Sequence, residues 1–489
     1  MKHGDLLPSR RAESAPFVKG LTMKPFLTIP EAGFLLDEGK LTPMDLVELA
    51  IQATETYQPV VNAYITFTPE QARRDAQAVY ERMKKEGRWS PLTGIPFAVK
   101  DLIFAKGLPA TAGSRQMKDF IPEEDAPIVA YMKQAGAILM GKTNTQEWGC
   151  GPTGQQSYFG PARNPFDPSR ISGGSSSGSA AALATGMVPA ALGSDAGGSI
   201  RIPASLCGCV GYKPSFTLIS NEGGFHGSIH LGVNGPMANT VEDTAILMDV
   251  IAAPHPPVYR QAVLDARNNS TLRGCRFAVP RNLFMDCIQP GVLEVFETAV
   301  DRLRAAGAKV TDHDVPWLED IPELSSAITF PEIAYLHKER LETDPEGYQP
   351  AIKARIEKGF DYPAVKYIEA LQRREKLIVQ WTDLMKEFDA LLMPTLPITA
   401  EPLFTDTVTV NGRVLDHSAL LVKHTRASNV IGCPSVSLPA GVTGPLCPQG
   451  ITDPLLPVGI MLMGGIMEDK KLLALSALME DCLKETAQQ

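Results

Sequence analysis

The sequence predicts a layered α/β protein. Short apolar runs bounded by Gly or Pro recur along its 489 residues, and stretches with helical spacing separate them. One window, Cys275 to Val310, reads strand–helix–strand, the pattern of a βαβ unit. Such alternation lays helices against a sheet.

The first hundred residues read mainly as helix. Thr42 caps a helix that opens on Pro43, where proline's missing N–H costs nothing, and Leu46, Val47, Leu49, Ala50 and Ile51 carry the helical spacing. Glu70 to Lys85 reads as a charged surface helix. Ile95 to Lys100 is a short strand that ends on lysine. A helix near Ala126 to Gln134 leads into a strand over Ala137 to Met140. In the βαβ unit, Cys275 to Val279 and Lys309 to Val310 are the strands. Its helix, Val292 to Ala306, sets Val292, Val295, Phe296, Ala299, Val300 and Leu303 on one face. Pro363 to Phe388 is a long amphipathic helix, Ala390 to Met393 and Ser435 to Leu438 are buried strands, and Asp469 to Lys484 is the last helix. There is no internal repeat and no linker. Length alone suggests about three domains.

Composition excludes several classes. At 44% hydrophobic and 21% charged the chain is globular. A net charge of -9 argues against the basic footprint of a nucleic-acid binder. No run of about 18 apolar residues offers a membrane span. The N-terminus, with Lys2, Arg10 and Arg11, lacks the apolar run of a signal peptide, and Met23 is an alternative start. The eight cysteines are scattered, and Cys207-x-Cys209 has no partner pair at zinc spacing. They read as reduced thiols of a cytoplasmic protein. Neither nucleic acid nor membrane is an expected partner, and no metal or cofactor is expected.

Three motif matches lack their structural context. Gly136 to Thr143 satisfies the P-loop pattern around Lys142, but its central residues are themselves strand-like and follow a helix, so an NTPase is a minor reading. Gly149 to Gly154 fits G-x-G-x-x-G without a following helix. Gly174 to Gly178 contains G-x-S-x-G around Ser176, after a turn-rich loop rather than a strand and with no histidine to tie to it; a Ser-His-Asp hydrolase is therefore also minor.

Residues 172–211 stand apart. Nine of these 40 are Gly, eight are Ser, and only Asp195 and Arg201 are charged. A solvated linker would not interleave Ala180 to Ala184 and Val188 to Leu192 with its glycines. A buried, tightly turning backbone is the better reading. Such a segment suits a nucleophile and backbone donors. Lys100, Ser175 and Ser199 are the candidates. A lysine ending an apolar strand is either snorkelling or buried and functional.

Gly173-Gly174-Ser175-Ser176-Ser177-Gly178-Ser179-Ala180-Ala181, Gly197-Gly198-Ser199-Ile200-Arg201-Ile202-Pro203-Ala204-Ser205 and Gly211-Tyr212-Lys213-Pro214 closely resemble the amidase signature family. The spacings of 75 from Lys100 to Ser175 and 24 from Ser175 to Ser199 resemble it too. The likeness covers nearly the whole chain. It implies a single large domain over residues 23–489, after an N-terminal extension over 1–22. It also implies a central mixed, twisted β-sheet covered by helices on both faces. It implies a Ser–Ser–Lys triad, with Ser199 the nucleophile, Ser175 the bridging serine after a cis peptide bond, and Lys100 the base. The amides of Ala196, Gly197, Gly198 and Ser199 would form the oxyanion hole, with Ser176, Asp195 and Arg201 in support. The chemistry is coherent. Serine needs a base within hydrogen-bond reach. An ordinary lysine, with a pKa of about 10.4, is too protonated to be one, and burial lowers that value.

Trp148, Gly149 and Cys150 are candidates for the pocket wall, with ordinary core residues as the alternative. Ser177 stands where the family usually has glycine. The stretch from Lys213 to Leu218 and residues 219–234 also depart from its pattern, which leaves the substrate class open because loops carry specificity. The expected function is hydrolysis of a small amide, extending to aryl acylamides, carbamates or urea derivatives. The alternative is the A subunit of a glutamine-dependent tRNA amidotransferase, working in a complex. A homodimer is compatible with the first reading, and a non-catalytic binding protein is disfavoured by the complete triad.

Overall fold

The computed structural model describes residues 17–18, 21–22, 25–443 and 455–484. Eleven strands form one mixed sheet flanked by helices. In chain order they are β1 (Tyr64–Phe67), β2 (Pro96–Lys100), β3 (Ile138–Thr143), β4 (Ala190–Asp195), β5 (Val210–Lys213), β6 (Val233–Ala238), β7 (Arg276–Val279), β8 (Lys309–Asp312), β9 (Ala390–Pro394), β10 (Ser435–Val442) and β11 (Pro457–Met463). Their spatial order is β8-β7-β9-β11-β10-β5-β6-β4-β2-β3-β1. Strands β3, β2 and β4 run parallel, as do β8, β7 and β9. The remaining neighbours are antiparallel. Because one sheet draws strands from both halves of the chain, a single domain replaces the three that length suggests.

The expected elements form with small shifts of boundary. Helix Pro43–Val61 carries the Thr42 cap: Asp45 N–H donates to Thr42 Oγ1 at 3.2 Å, and Thr42 N–H donates back to Asp45 Oδ2 at 2.8 Å. In the βαβ unit, helix Pro290–Ala305 buries Val292, Phe296, Ala299, Val300 and Leu303, and β7 pairs in parallel with β8. Residues 138–143 are a strand after helix Pro127–Gln134, so no phosphate loop forms there. Lys142 instead lies fully buried, 3.3 Å from Asp101. Five strands of the sheet are not visible in the residue pattern. β1 is a short edge strand, and β4, β5, β6 and β11 contain Gly or Pro, which are depleted in strands and hide the signal.

Of the expected N-terminal extension, the structure describes an antiparallel pairing of Phe17–Val18 with Leu21–Thr22. The rest of that extension, and Cys447, lie outside the described residues. Cys150, Cys207, Cys209, Cys275, Cys287 and Cys433 are free thiols. No described helix is long and apolar enough to cross a membrane.

The core positions the site. β2 and β3 are buried along their whole length. Val99 of β2 lies opposite Leu192 of β4, so the carboxyl ends of these two parallel strands open side by side. Crevices at the carboxyl ends of parallel strands are the usual binding places of such sheets.

Candidate active site

Lys100 is the last residue of β2 and has no solvent exposure. Its Nζ lies 2.6 Å from Ser175 Oγ and donates to Ser194 Oγ at 2.9 Å and Ser194 O at 3.4 Å. Burial pushes its pKa down to about 7, while the Asp195 charge pulls the other way. The choice that composition leaves open is thus decided for burial.

Ser175 precedes helix Ser177–Ala184, and the Gly174–Ser175 peptide bond is cis. Its carbonyl accepts from Thr145 Oγ1 at 2.9 Å and Gln146 N–H at 3.2 Å. Ser176 ties this loop to the next one. Its N–H donates to Ser199 O at 3.1 Å, and its hydroxyl exchanges hydrogen bonds of 3.3 Å with the Ser194 backbone. Those contacts are with backbone, not with a histidine, so the G-x-S-x-G match is a structural clamp.

Ser199 lies in the turn between β4 and helix Arg201–Cys207. It lines two clefts. One, about 330 Å³, also holds Ser175, Ser194, Phe225 and His226. The other, about 580 Å³, holds Cys150, Ala196 and Gly197. The structure therefore brings Ser199 and Ser175 to one cleft, with Lys100 behind Ser175.

The loop over residues 195–200 is shaped from inside. Asp195 accepts Gly198 N–H at 2.7 Å and Ile200 N–H at 3.1 Å. Arg201, fully buried, grips both Asp195 oxygens at 3.0 Å and reaches Thr425 O and Asn429 Oδ1, each at 2.8 Å. Burial would raise the Asp195 pKa, but the charge and hydrogen bonds of Arg201, with Asn429 and Lys213, outweigh it and hold the carboxyl well below its usual range. The Gly198 amide is thus directed at Asp195, whereas the expectation made it an oxyanion donor. The Ala196, Gly197 and Ser199 amides have no protein acceptor among the described residues. Glycine is required at 198 for another reason: its φ is +127°, and a Cβ there would strike Thr425.

The three expected wall residues differ. Gly149 lines both clefts, and a Cβ on it would lie 3.5 Å from Ser175 Oγ. Its φ of +69° adds backbone strain to that intrusion. We expect Gly149→Ala to lower kcat/KM for any substrate turned over at Ser199 by about tenfold or more, and steady-state kinetics would read it; an unchanged value would place the reacting group away from Ser175. Cys150 lines the larger cleft, and burial raises its thiol to about 11, which leaves it protonated. Trp148 lines neither cleft. It is 2% exposed and packs on Phe225 and His337 at ring distances of 5.2 and 4.8 Å. It backs the wall through Phe225.

Ser194, Thr425, Asn429, Arg355 and Arg426 escape sequence reasoning. Ser194 lies inside the Gly/Ser-rich segment, where nothing local separates its hydroxyl from the others. The remaining four come from loops and short helices with no motif.

The family model named Amidase matches residues 45–473. The glutamyl-tRNA(Gln) amidotransferase A subunit of Chloroflexus aurantiacus is 33% identical over 445 residues, covering 85% of this chain and 90% of that protein. A crystal structure of an amidase superposes with a TM-score of 0.85 at 33% identity, covering 93% of this chain and 99% of the other. A bacterial aryl acylamidase of the amidase signature family superposes with a TM-score of 0.81 at 26% identity, covering 94% and 96%. A family match across most of the chain, on a sheet that carries Lys100, Ser175 and Ser199 to one crevice, means that this chain belongs to the amidase signature family of enzymes that hydrolyse amide C–N bonds.

Proposed function

We propose that the chain hydrolyses the C–N bond of a small amide through Ser199, Ser175 and Lys100. The observation that carries this reading is the buried Lys100 amine, 2.6 Å from Ser175 Oγ and held near neutrality. A neutral amine has two N–H groups and one lone pair. With Ser194 accepting on the N–H side, the lone pair is left for the Ser175 proton. Ser175 takes the proton of Ser199 as the Ser199 oxygen attacks the carbonyl carbon. The free amides of Ala196, Gly197 and Ser199 receive the developing oxyanion. The proton returns through Ser175 to the nitrogen as the C–N bond breaks. Water, activated along the same path, then releases the acid. Asp195 and Arg201 hold the donor loop. Aryl acylamides, carbamates and urea derivatives pose the same chemistry at the carbonyl.

The pKa of Lys100 gives this reading a direction. A base depressed by burial is protonated, and useless, at low pH, so activity must rise with pH. We expect kcat/KM to climb tenfold per pH unit below about pH 7 and to level off above it. A profile across pH 5–9 on a panel of aliphatic amides, anilides, carbamates and glutamine tests both the relay and the substrate. Constant activity down to pH 5 would remove Lys100 as the base.

The naming of the curated relatives favours a second reading, the A subunit of an amidotransferase. It requires partner subunits and tRNA-dependent amide transfer. Copurification of a complex, with glutamine hydrolysis stimulated by charged tRNA, would select it over the free amidase.

A further inference from the structure

The two clefts that meet at Ser199 differ in charge. The larger one runs past Cys150, Phe330 and Ile333 to Arg355 and Arg426. Among the described residues, its wall contains no Asp or Glu. Among the described residues, no carboxylate pairs with either arginine. Arg355 Nε is buried without a hydrogen-bond partner, and its guanidinium lies 5.7 Å from the Phe330 ring centre. Arg426 sits beside the donor loop, its Cγ 3.8 Å from where a Cβ on Gly197 would stand. Burial and the neighbouring Arg355 charge lower the Arg426 pKa to about 10. Two like charges facing one half-buried cleft without a counter-ion are unfavourable. A carboxylate removes that penalty, because guanidinium donors match its two oxygens.

Proton traffic says which half of the substrate lies there. The leaving nitrogen takes its proton from Ser175, and Ser175 lines the smaller cleft but not the larger. The amine therefore leaves through the smaller cleft, and the acyl group fills the larger.

We propose that Arg355 and Arg426 bind a carboxylate on the acyl group, so that the substrate is a monoamide of a dicarboxylic acid. The proposal rests on the amidase reading above. Water and the monoamide give a dicarboxylate and the free amine. Glutamine fits this wall less well, since its ammonium would enter beside two cations with no acid to meet it.

The test compares succinamate, glutaramate and adipamate with butanamide, pentanamide and hexanamide, their counterparts without the second carboxylate. Calorimetry of the matching dicarboxylates on the intact protein gives a readout that needs no turnover. For the best chain length we expect kcat/KM to favour the charged amide by about 30-fold or more. That ratio should fall below about threefold in Arg426→Met and Arg355→Met, and dicarboxylate binding should weaken about tenfold or more in both. Arg426→Lys, which keeps the charge, should retain part of the preference. Equal rates for charged and uncharged amides, with dicarboxylate binding absent or unchanged in the variants, overturn the proposal and leave the amidase reading standing. Dicarboxylate binding that depends on both arginines, with no amide hydrolysed, supports the anion site and overturns the amidase reading. Neither binding nor hydrolysis overturns both.

Discussion

Ser199→Ala is expected to lower kcat about 10⁴-fold or more while the protein stays folded. The two halves of that expectation have separate causes. In the proposed reaction the hydroxyl supplies the attacking oxygen, and its neighbours at the crevice do not replace it: the Cys150 thiol is protonated, and Ser175 is engaged by Lys100. Yet among the described residues no hydrogen bond that holds the loop uses the Ser199 hydroxyl; Ser176 N–H is bonded to the Ser199 carbonyl, which alanine keeps. Lys100→Met should lose a comparable factor, because an unactivated serine is a poor nucleophile. The double variant should be little worse than either single one, since the groups act as a unit. Initial rates on the best amide, with unfolding midpoints for each variant, check the set. Near-normal turnover by folded Ser199→Ala would end the assignment.

Arg201→Met carries the largest expected cost to stability, about 3–5 kcal/mol. The side chain is fully buried and bonds four oxygen atoms, two of Asp195, the Thr425 carbonyl and the Asn429 amide oxygen, besides a contact to Met461 Sδ at 3.4 Å. Methionine fills much of the volume but leaves Asp195 charged and unpaired in the interior. Asp195 in turn holds Gly198 N–H and Ile200 N–H, so the donor loop loses its frame and kcat should fall as well. Adding Asp195→Asn to Arg201→Met should recover part of the loss, because the orphaned charge goes with it. A double-mutant cycle by urea unfolding should show a coupling of about 1–3 kcal/mol. Stability within about 1 kcal/mol of the parent and an unchanged kcat would show that the pair does not shape the loop.

Different parts of the molecule were legible to different degrees. Helices with caps and apolar stripes, such as Pro43–Val61 and Pro290–Ala305, declare themselves because their information lies within one or two turns. The strand over 96–100 and the dense Gly/Ser segment were visible for the same reason. β5 and β6 were not, because pairing with distant strands overrides the poor strand propensity of their Gly and Pro residues. Trp148 shows the limit for single side chains: a buried aromatic after a turn looks like pocket lining until its ring neighbours are known.

The residue pattern alone carried the α/β class, the main helices and, through long specific blocks, the family, and it set out Lys100, Ser175 and Ser199 as candidates. Those features are local, or are carried by residue identity at set spacing. Only the tertiary structure decided that Lys100 is buried rather than snorkelling, that Gly198 turns its amide to Asp195, and that Thr425 and Asn429 brace a loop more than 220 positions away. It alone set Arg355 and Arg426 in one cleft. Burial and the direction of a donor depend on what packs against a residue from remote parts of the chain, and no local pattern carries that information.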